Sequence, residues 1–433
     1  MSKFRRVRGM RDFLPEEAQR MRYLEAGART VAQLYRYQEI ITPILESYKL
    51  LAEKAGEEIR SRMYAFKDLG GRRVALRPEF TASVARLVAH TLKNEPKPLR
   101  IFCAGSLYRY DEPQQGRFRE FWQSNYELMG SSNPEADAET IMLTNSLISI
   151  AGLENCLFKV GHVGVLRGIL NQENIDERLQ NQIMHLMDKR EYNDALKIVE
   201  RADASRKCLA TLEDLIEVKG REVSEILNSM KKRVEEYEEA SLAVQNLQEI
   251  LRLVVKCEEN TEIFVDAGFA RGLEYYTGMV FEIYVSEMDV ALGGGGRYDK
   301  LIELFGGKST PAVGVAHGLD RIMIAMEKQR RPIKAKERKK VMVIPVGEEM
   351  KEEALEISQM LRNARISVEF EVMGRRIGSA LQDADRRNMD YAVIVGKEEQ
   401  KKGNVVVRDL KKREQKTLEI KRVVEEIGNP DVV

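Results

Sequence analysis

Several arginines in this chain are spaced so that they could grip an anion. In the stretch 101–129, IFCAGSLYRYDEPQQGRFREFWQSNYELM, Arg109, Arg117 and Arg119 flank or occupy one charged connection. Arginine offers a fixed fork of donors, so three around one loop can hold a polyphosphate through charge-assisted bonds. Salt bridges to Asp111, Glu112 and Glu120 would instead leave them on a solvated surface. Beyond the loop, the two-residue period of an extended strand puts Phe121, Gln123, Asn125 and Glu127 on one face. Buried polar groups cost free energy unless paired, so this row lines a polar pocket or a sheet face open to water.

Other segments add chemistry of the same kind. Glu79 follows Pro78 at a strand end with Thr81 beside it, where a carboxylate can receive an ammonium group or simply face a helix N-terminus. Arg271 opens RGLEYYTGMVFEIY, in which Tyr275 and Tyr276 are adjacent. In an extended chain they point opposite ways, so only one need face a pocket. LGGGGRYDKLIELFGG sets four glycines ahead of Arg297, either to let backbone pass close to a ligand or to make a surface turn. In GVAHGLDRIMIAM, Gly314 and Gly318 lead into a helix carrying Arg321. Gly347 before a helix in the C-terminal part is a weak anion signal, and that part has neither a GxGxxG nor a Walker-type loop.

The elements that must position these residues follow from the patterning. Pro15 starts a helix over about 15–36, with Glu16 and Glu17 in its first turn, after an irregular basic arm over 1–14. QEIITPILE reads as a strand interrupted by Pro43, which belongs at an edge or an interface. MYAFKDLGGRRVALRPEFT reads as a hairpin turning at Leu69–Gly71, and a helix over about 80–93 follows. The 101–129 hairpin comes next, then a helix that ends at Gly152. From about 159 to 257 the texture is helical, with Ile175, Leu179, Ile183 and Leu186 at steps of three and four. Strand signals resume at TEIFVDAGF, so one sheet begun before residue 130 is expected to finish after 260, around a helical insertion.

At 433 residues, 43% apolar and 32% charged, the chain has room for two to four domains of ordinary soluble composition. Its formal charge of +1 decides nothing about nucleic acid, which answers to local patches. Cys103, Cys156, Cys208 and Cys257 lie about fifty residues apart and make no zinc spacing or disulfide framework. Neither an apolar leader nor a membrane-length run is present, so a cytosolic chain with reduced thiols and no membrane contact is expected. Residues 328–340 hold eight basic residues, one acidic residue and Pro332, and read as a linker. Beyond it, strands and helices alternate in a compact α/β domain over 341–433, ending in the strand NVVVRDL and a last helix. That domain carries Lys401, Lys402, Arg408, Lys411, Lys412 and Arg413, a basic set suited to an RNA backbone or to a solvated face.

Taken together, RPEFT (77–81), YRYDEPQQGRFREFWQ (108–123), RGLEYYTG (271–278), GGGGRYDKL (293–301) and GVAHGLDRI (314–322) resemble, in order and spacing, the signature segments of the histidyl-tRNA synthetase family. ITPILE resembles the first class II synthetase motif at a dimer interface, the hairpin resembles the second, and the helix bearing Arg321 resembles the third. The resemblance covers nearly the whole chain and is nearest to the archaeal and eukaryotic branch. It implies an α+β antiparallel-sheet class II catalytic core (1–158 and 258–328), a helical insertion (159–257), a basic linker (329–340) and a C-terminal α/β anticodon-binding domain (341–433).

The resemblance also implies roles. Arg109 would hold the ATP α-phosphate and the histidine carboxylate, and Arg271 would stabilise α-phosphate charge where related enzymes use a metal. Phe121 would stack on adenine, Arg117 and Arg321 would meet the outer phosphates, and Arg297 would join them on ATP. Glu79, Thr81 and Gln123 would surround the substrate amino group, with Glu127 and Tyr276 toward the imidazole and Tyr275 also on histidine. The implied substrates are L-histidine, ATP with Mg2+ and tRNA(His), met at its acceptor end and anticodon by a cytoplasmic homodimer without zinc. Asp111 and Glu112 replace a Glu and Arg pair common in bacterial members, and Ser124 and Asn125 replace Leu and Gly; none of these changes removes a proposed catalytic group. The rival is a synthetase-like regulatory subunit of ATP phosphoribosyltransferase. Such proteins usually lose key arginines and the C-terminal domain, both of which this chain keeps.

Overall fold

The computed structural model describes residues 4–53, 56–112, 116–258, 260–271, 275–333 and 339–428. The chain forms two compact units, Met1–Ile333 and Lys334–Val433. Pro113, Gln114 and Gln115 of the hairpin connection, 272–274 of the RGLEYYTG segment, and 334–338 of the expected linker lie outside the described residues.

In the first unit, short strands β1 (Gln38–Glu39), β2 (Leu45–Ser47), β3 (Ala65–Lys67) and β4 (Arg73–Leu76) lead to the long hairpin of β5 (Leu99–Tyr108) and β6 (Glu120–Met129). After it come β7 (Cys156–His162), β8 (Lys219–Gly220), β9 (Glu262–Asp266), β10 (Met279–Val285), β11 (Gly293–Arg297) and β12 (Ala312–Gly318). Nine of them form one sheet in the order β1-β5-β6-β12-β11-β10-β7-β9-β8. Neighbours run antiparallel except at β1–β5 and β7–β9. A sheet begun before residue 130 is therefore completed after 260, as the strand signals predict.

Two expected elements divide differently. QEIITPILE is not a single interrupted strand: β1 pairs with β5, whereas β2 pairs with β4 in a separate three-stranded sheet. Pro43 lies between them, where it removes a ladder donor and the chain leaves one sheet for the other. The helical block expected from residue 159 begins later, because Lys159–His162 are the end of β7 and pair with β10. The block also supplies the edge strand β8, and its helix Glu238–Cys257 buries Leu247, Ile250, Leu251 and Val254 in the core shared with the sheet.

Local chemistry explains the helix limits that bear on the site. In the helix Pro15–Leu34, proline takes the first position and the Glu17 carboxylate accepts the Leu14 backbone N–H at 3.1 Å. The helix Pro134–Ala151 starts the same way and ends at Gly152, whose φ of +69° suits glycine. The helix Thr81–His90 carries Ala82, Val84, Ala85 and Val88 into the core and holds its N-terminus at the sheet.

The second unit is a five-stranded sheet with its own two apolar clusters. Its strands Lys340–Pro345, Ser367–Phe370 and Tyr391–Val395 are parallel, and Asn404–Asp409 and Glu414–Glu419 add antiparallel neighbours. The last of these was not expected from the sequence. EQKTLE has one apolar residue and is exposed apart from Leu418, so an edge strand here leaves no hydrophobic alternation to read.

Candidate functional site

A cavity of about 320 Å³ lies over the middle of the nine-stranded sheet. Strand β6 gives it Phe121, Gln123, Asn125 and Glu127, the row that the two-residue period predicts. Glycines Gly293, Gly294 and Gly314 of β11 and β12 keep it open. The GGGG run is thus a buried central strand and not a surface turn. A Cβ at Gly295 would come within 2.0 Å of the Gly314 carbonyl oxygen, and one at Gly294 within 2.6 Å of an Arg271 nitrogen. Gly314 lies in β12, where a Cβ would sit 1.8 Å from Glu127 Oε2.

One end of the cavity is built on carboxylates. Glu127 is buried, with Thr81 Oγ1 donating to Oε1 at 2.8 Å and the Tyr298 hydroxyl donating to Oε2. Burial pushes its pKa up to about 7, and the two hydroxyl donors restrain the rise. Glu79 accepts the backbone N–H groups of Thr81 and Ala82, both at 2.8 Å, so it caps the helix Thr81–His90 while facing the cavity. Burial pushes its pKa up, opposed by bonds from Ala82 and Thr81 and by Arg109. Tyr275 and Tyr276 both line this end, their ring centroids 4.9 Å apart, and Tyr298 stands edge-on to Tyr275 at 5.6 Å. The expectation that only one of the pair need face the pocket fails because Tyr275 sits in a turn, where strand alternation does not apply.

The other end is built on arginines. Arg109 is held by a bond from Nε to the Pro78 carbonyl at 2.9 Å, and its guanidinium lies 5.3 Å from the centre of the Phe121 ring. Arg321 donates from Nε to Gly116 O at 3.1 Å and from Nη1 to Ala291 O at 2.7 Å. Arg271 reaches Glu282 at 3.4 Å and the Tyr276 hydroxyl at 3.4 Å. Arg117 lines the same space, with a buried Nε that has no hydrogen-bond partner among the described residues. Burial, with Arg109 and Arg117 nearby, lowers the pKa of Arg321 to about 10. Burial also lowers that of Arg109. For Arg271 burial acts in the same direction but is outweighed by Tyr276, Glu282 and Tyr275, and its pKa is raised. Asp111 and Glu282 temper this positive charge, yet Arg109, Arg117 and Arg271 still act on Arg321 as like charges, and four guanidinium groups converging on one space can receive a polyanion.

Residues 9–322 match the family model described as histidyl-tRNA synthetase. The chain belongs to the histidyl-tRNA synthetase family. Residues 340–429 match an anticodon binding domain. Among curated relatives, the histidine–tRNA ligase of Methanocaldococcus jannaschii is 42% identical over 420 residues, covering 96% of this chain and 98% of that protein. The histidine–tRNA ligase of Saccharolobus solfataricus is 36% identical over 441 residues, covering 99% of each. Among solved structures, histidyl-tRNA synthetase from Nostoc sp. PCC 7120 shares the fold with a TM-score of 0.79 at 24% identity over 99% of each chain. A Bacillus halodurans protein described as an ATP phosphoribosyltransferase regulatory subunit/histidyl-tRNA synthetase has a TM-score of 0.76 at 25% identity, covering 91% of this chain and 99% of that one.

Within this synthetase fold, Glu79, Thr81, Arg109, Arg117, Phe121 and Gln123 line the one cavity. So do Glu127, Arg271, Tyr275, Tyr276 and Arg321. Arg297, expected on ATP, does not. Its Nε lies 3.0 Å from the Asp137 carboxylate, and Nη1 donates to Ser131 O at 2.9 Å and to Asp299 at 3.1 Å. It is a buried tie between β11 and the helix Pro134–Ala151, and Asp137 has its pKa pushed up to about 6 by burial. Tyr298 takes the place in the pocket. The two-residue period gives the reason: 294, 296 and 298 share a face, so 297 must turn away. Asp188, at the end of the helix Glu177–Asp188, also reaches the cavity wall, and no local pattern in the sequence marks it.

Proposed function

We propose that this chain is a histidine–tRNA ligase that joins L-histidine to ATP and then passes the histidyl group to the 3′ end of tRNA(His). In the first step a histidine carboxylate oxygen bonds to the α-phosphorus, the bond to the bridging oxygen breaks, and pyrophosphate leaves. In the second, a ribose hydroxyl of the terminal nucleotide attacks the activated carbonyl carbon and AMP leaves. The nucleophile of the first step is already an anion and needs no base. What the site supplies is alignment and a fixed positive field.

The observation that carries this reading is the junction of two unlike ends in one cavity: four converging arginines, and carboxylates already held in place by hydroxyl and backbone donors. Arg109 and Arg271 take the α-phosphate at the junction, and Arg117 and Arg321 take the outer phosphates. Phe121 stacks on adenine, and Glu79, Thr81 and Gln123 receive the ammonium group. Glu127 meets the imidazole among Tyr275, Tyr276 and Tyr298. Mg2+ enters as the counter-ion of ATP, and we assign it no protein cluster. The regulatory-subunit reading is disfavoured by the retained Arg109, Arg271 and Arg321 and by the anticodon-type domain.

We assign anticodon contact to the second unit. Of the six basic residues singled out in its sequence, Lys401 and Lys402 precede the strand Asn404–Asp409, Arg408 lies on it and Lys411–Arg413 follow it, so the two outer groups stand roughly 20 Å apart. Homodimerisation through the segment around Pro43 is supported by Ile41, which is 91% exposed, and by Ile44 and Leu45 beside it. Among the described residues no helix is long and apolar enough to cross a membrane, and we place the enzyme in the cytoplasm. Pyrophosphate exchange across the twenty amino acids without RNA, followed by charging of tRNA(His), tests the proposal. Exchange with histidine alone, then charging, is expected; exchange with another amino acid, or with none, would overturn it.

A further inference from the structure

The N-terminal arm has no part in the steps above, yet it packs against Phe118, Trp122 and Asp320, which line the site. Gly9 accepts the backbone N–H of Arg119 through its carbonyl at 3.0 Å. With φ at +84°, Gly9 lies so close that a Cβ would meet Arg119 Cδ at 2.6 Å. Arg11 lies over the Phe118 ring at 3.3 Å and beside Phe13 at 4.7 Å, and Phe13 packs edge-on to Trp122 at 5.2 Å. The far end of Arg11, Nη2, donates to Oδ1 of Asp320, whose Oδ2 accepts the Trp122 backbone N–H at 2.6 Å. Asp320 is buried and Arg11 is only 21% exposed, so water screens this pair little.

The contacts fall on the immediate neighbours of two arginines at the anion end. Phe118 follows Arg117 on the hairpin connection, and Asp320 precedes Arg321 at the start of its helix. These two arginines line one cavity and repel each other as like charges, and among the described residues the bond from Arg321 to Gly116 O ties the helix to the hairpin connection. A restraint that resists the repulsion must bridge the loop and the helix without adding net charge. Arg11 meets that requirement, because Asp320 neutralises it while its planar face presses on the loop.

We propose that Arg11 is a positioning residue that fixes the spacing of Arg117 and Arg321, and thereby sets affinity for the polyphosphate of the nucleotide. This rests on the reading of the arginine end as the ATP site. A plain fold staple would, when cut, lower thermal stability and weaken both substrates alike. A positioning residue for one end weakens polyphosphate and leaves histidine alone.

The test uses the full chain with Arg11→Ala, Arg11→Lys and, as a control, Arg8→Ala, whose pair with Glu112 is exposed on both sides. Calorimetry measures ATP with Mg2+, inorganic tripolyphosphate and histidine separately, and melting temperature is read in parallel. Arg11→Ala is expected to weaken ATP and tripolyphosphate about tenfold, as loss of a charge-assisted bond implies, and histidine by less than about twofold. Arg11→Lys keeps the charge but not the plane and should lose about threefold, which also carries the comparison if the alanine variant does not fold. Arg8→Ala should stay within about twofold on all three. Unchanged ATP and tripolyphosphate affinity, equal losses on ATP and histidine, a loss with Arg8→Ala as large as with Arg11→Ala, or an unmodified chain that binds neither polyphosphate would each overturn the proposal. Histidine-dependent exchange by the unmodified chain reports separately on the enzymatic reading.

Discussion

The two ends of the cavity have opposite electrostatic construction. Glu127 and Glu79 are surrounded by donors that belong to the protein: two hydroxyls for Glu127, two backbone N–H groups for Glu79. The arginine end sets like charges against one another. Arg109 and Arg321 lean on carbonyl oxygens, and Arg271 has Glu282 at 3.4 Å. A carboxylate already satisfied inside the fold keeps its position without ligand, which suits a pocket that must choose between similar amino acids. Guanidinium groups facing one another gain most when an anion arrives, and more again as charge builds on it in the transition state.

Breaking the arginine end should therefore cost the most. Arg271→Ala is expected to lower the adenylation burst by about 10² or more, with histidine binding largely kept. A burst of normal size would detach Arg271 from the chemical step. Glu127→Gln attacks the other end and should weaken histidine by about tenfold to 10² while changing ATP by less than about threefold. Separate titrations of the two substrates decide it, since equal losses would mean general damage to the pocket.

Two glycines sharpen the contrast because they sit on neighbouring strands. Gly314→Ala presses a methyl group on Glu127 and should weaken histidine about tenfold with ATP little changed. Gly294→Ala presses on Arg271 and on the Phe281 carbonyl, so its loss should appear in the adenylation rate. Measuring both variants for both substrates tests the division, and an interchange of the two effects would reverse the assignment of the ends.

The smallest expected effect is on stability. Glu127 holds its proton up to about pH 7, against an ordinary value of 4.5. Between those limits the folded chain binds more proton than the unfolded chain, so this residue's contribution is fully present below about 4.5 and lost as pH rises through 7. The melting temperature of the ligand-free chain should fall by a few degrees more between pH 5 and 8 than that of Glu127→Gln. Parallel slopes for the two proteins would show that Glu127 is ionised throughout.

What the sequence determined by itself was chiefly local. The row Phe121–Glu127 was legible because strand alternation is a covalent property of extended backbone, and Pro15 and Gly152 marked helix limits through their fixed or permissive φ. The set of arginines was legible as a set, from residue type and from likeness to one family. Their division of labour was not. Strand alternation sets Arg297 on the face opposite Tyr298, but that this is the face away from the site, with Asp137 waiting on it, is decided by the packing of the helix Pro134–Ala151 beneath β11. Tyr298, Asp188 and the bridge from Arg11 to Asp320 likewise depend on segments far apart in the chain. The edge strand Glu414–Glu419 and the buried strand of four glycines defeat local rules for a related reason. One is formed by backbone pairing with almost no apolar face, the other by neighbours so close that no side chain fits. Period and propensity report what a segment can do alone, whereas burial, charge pairing and close approach are decided by what the fold sets against it.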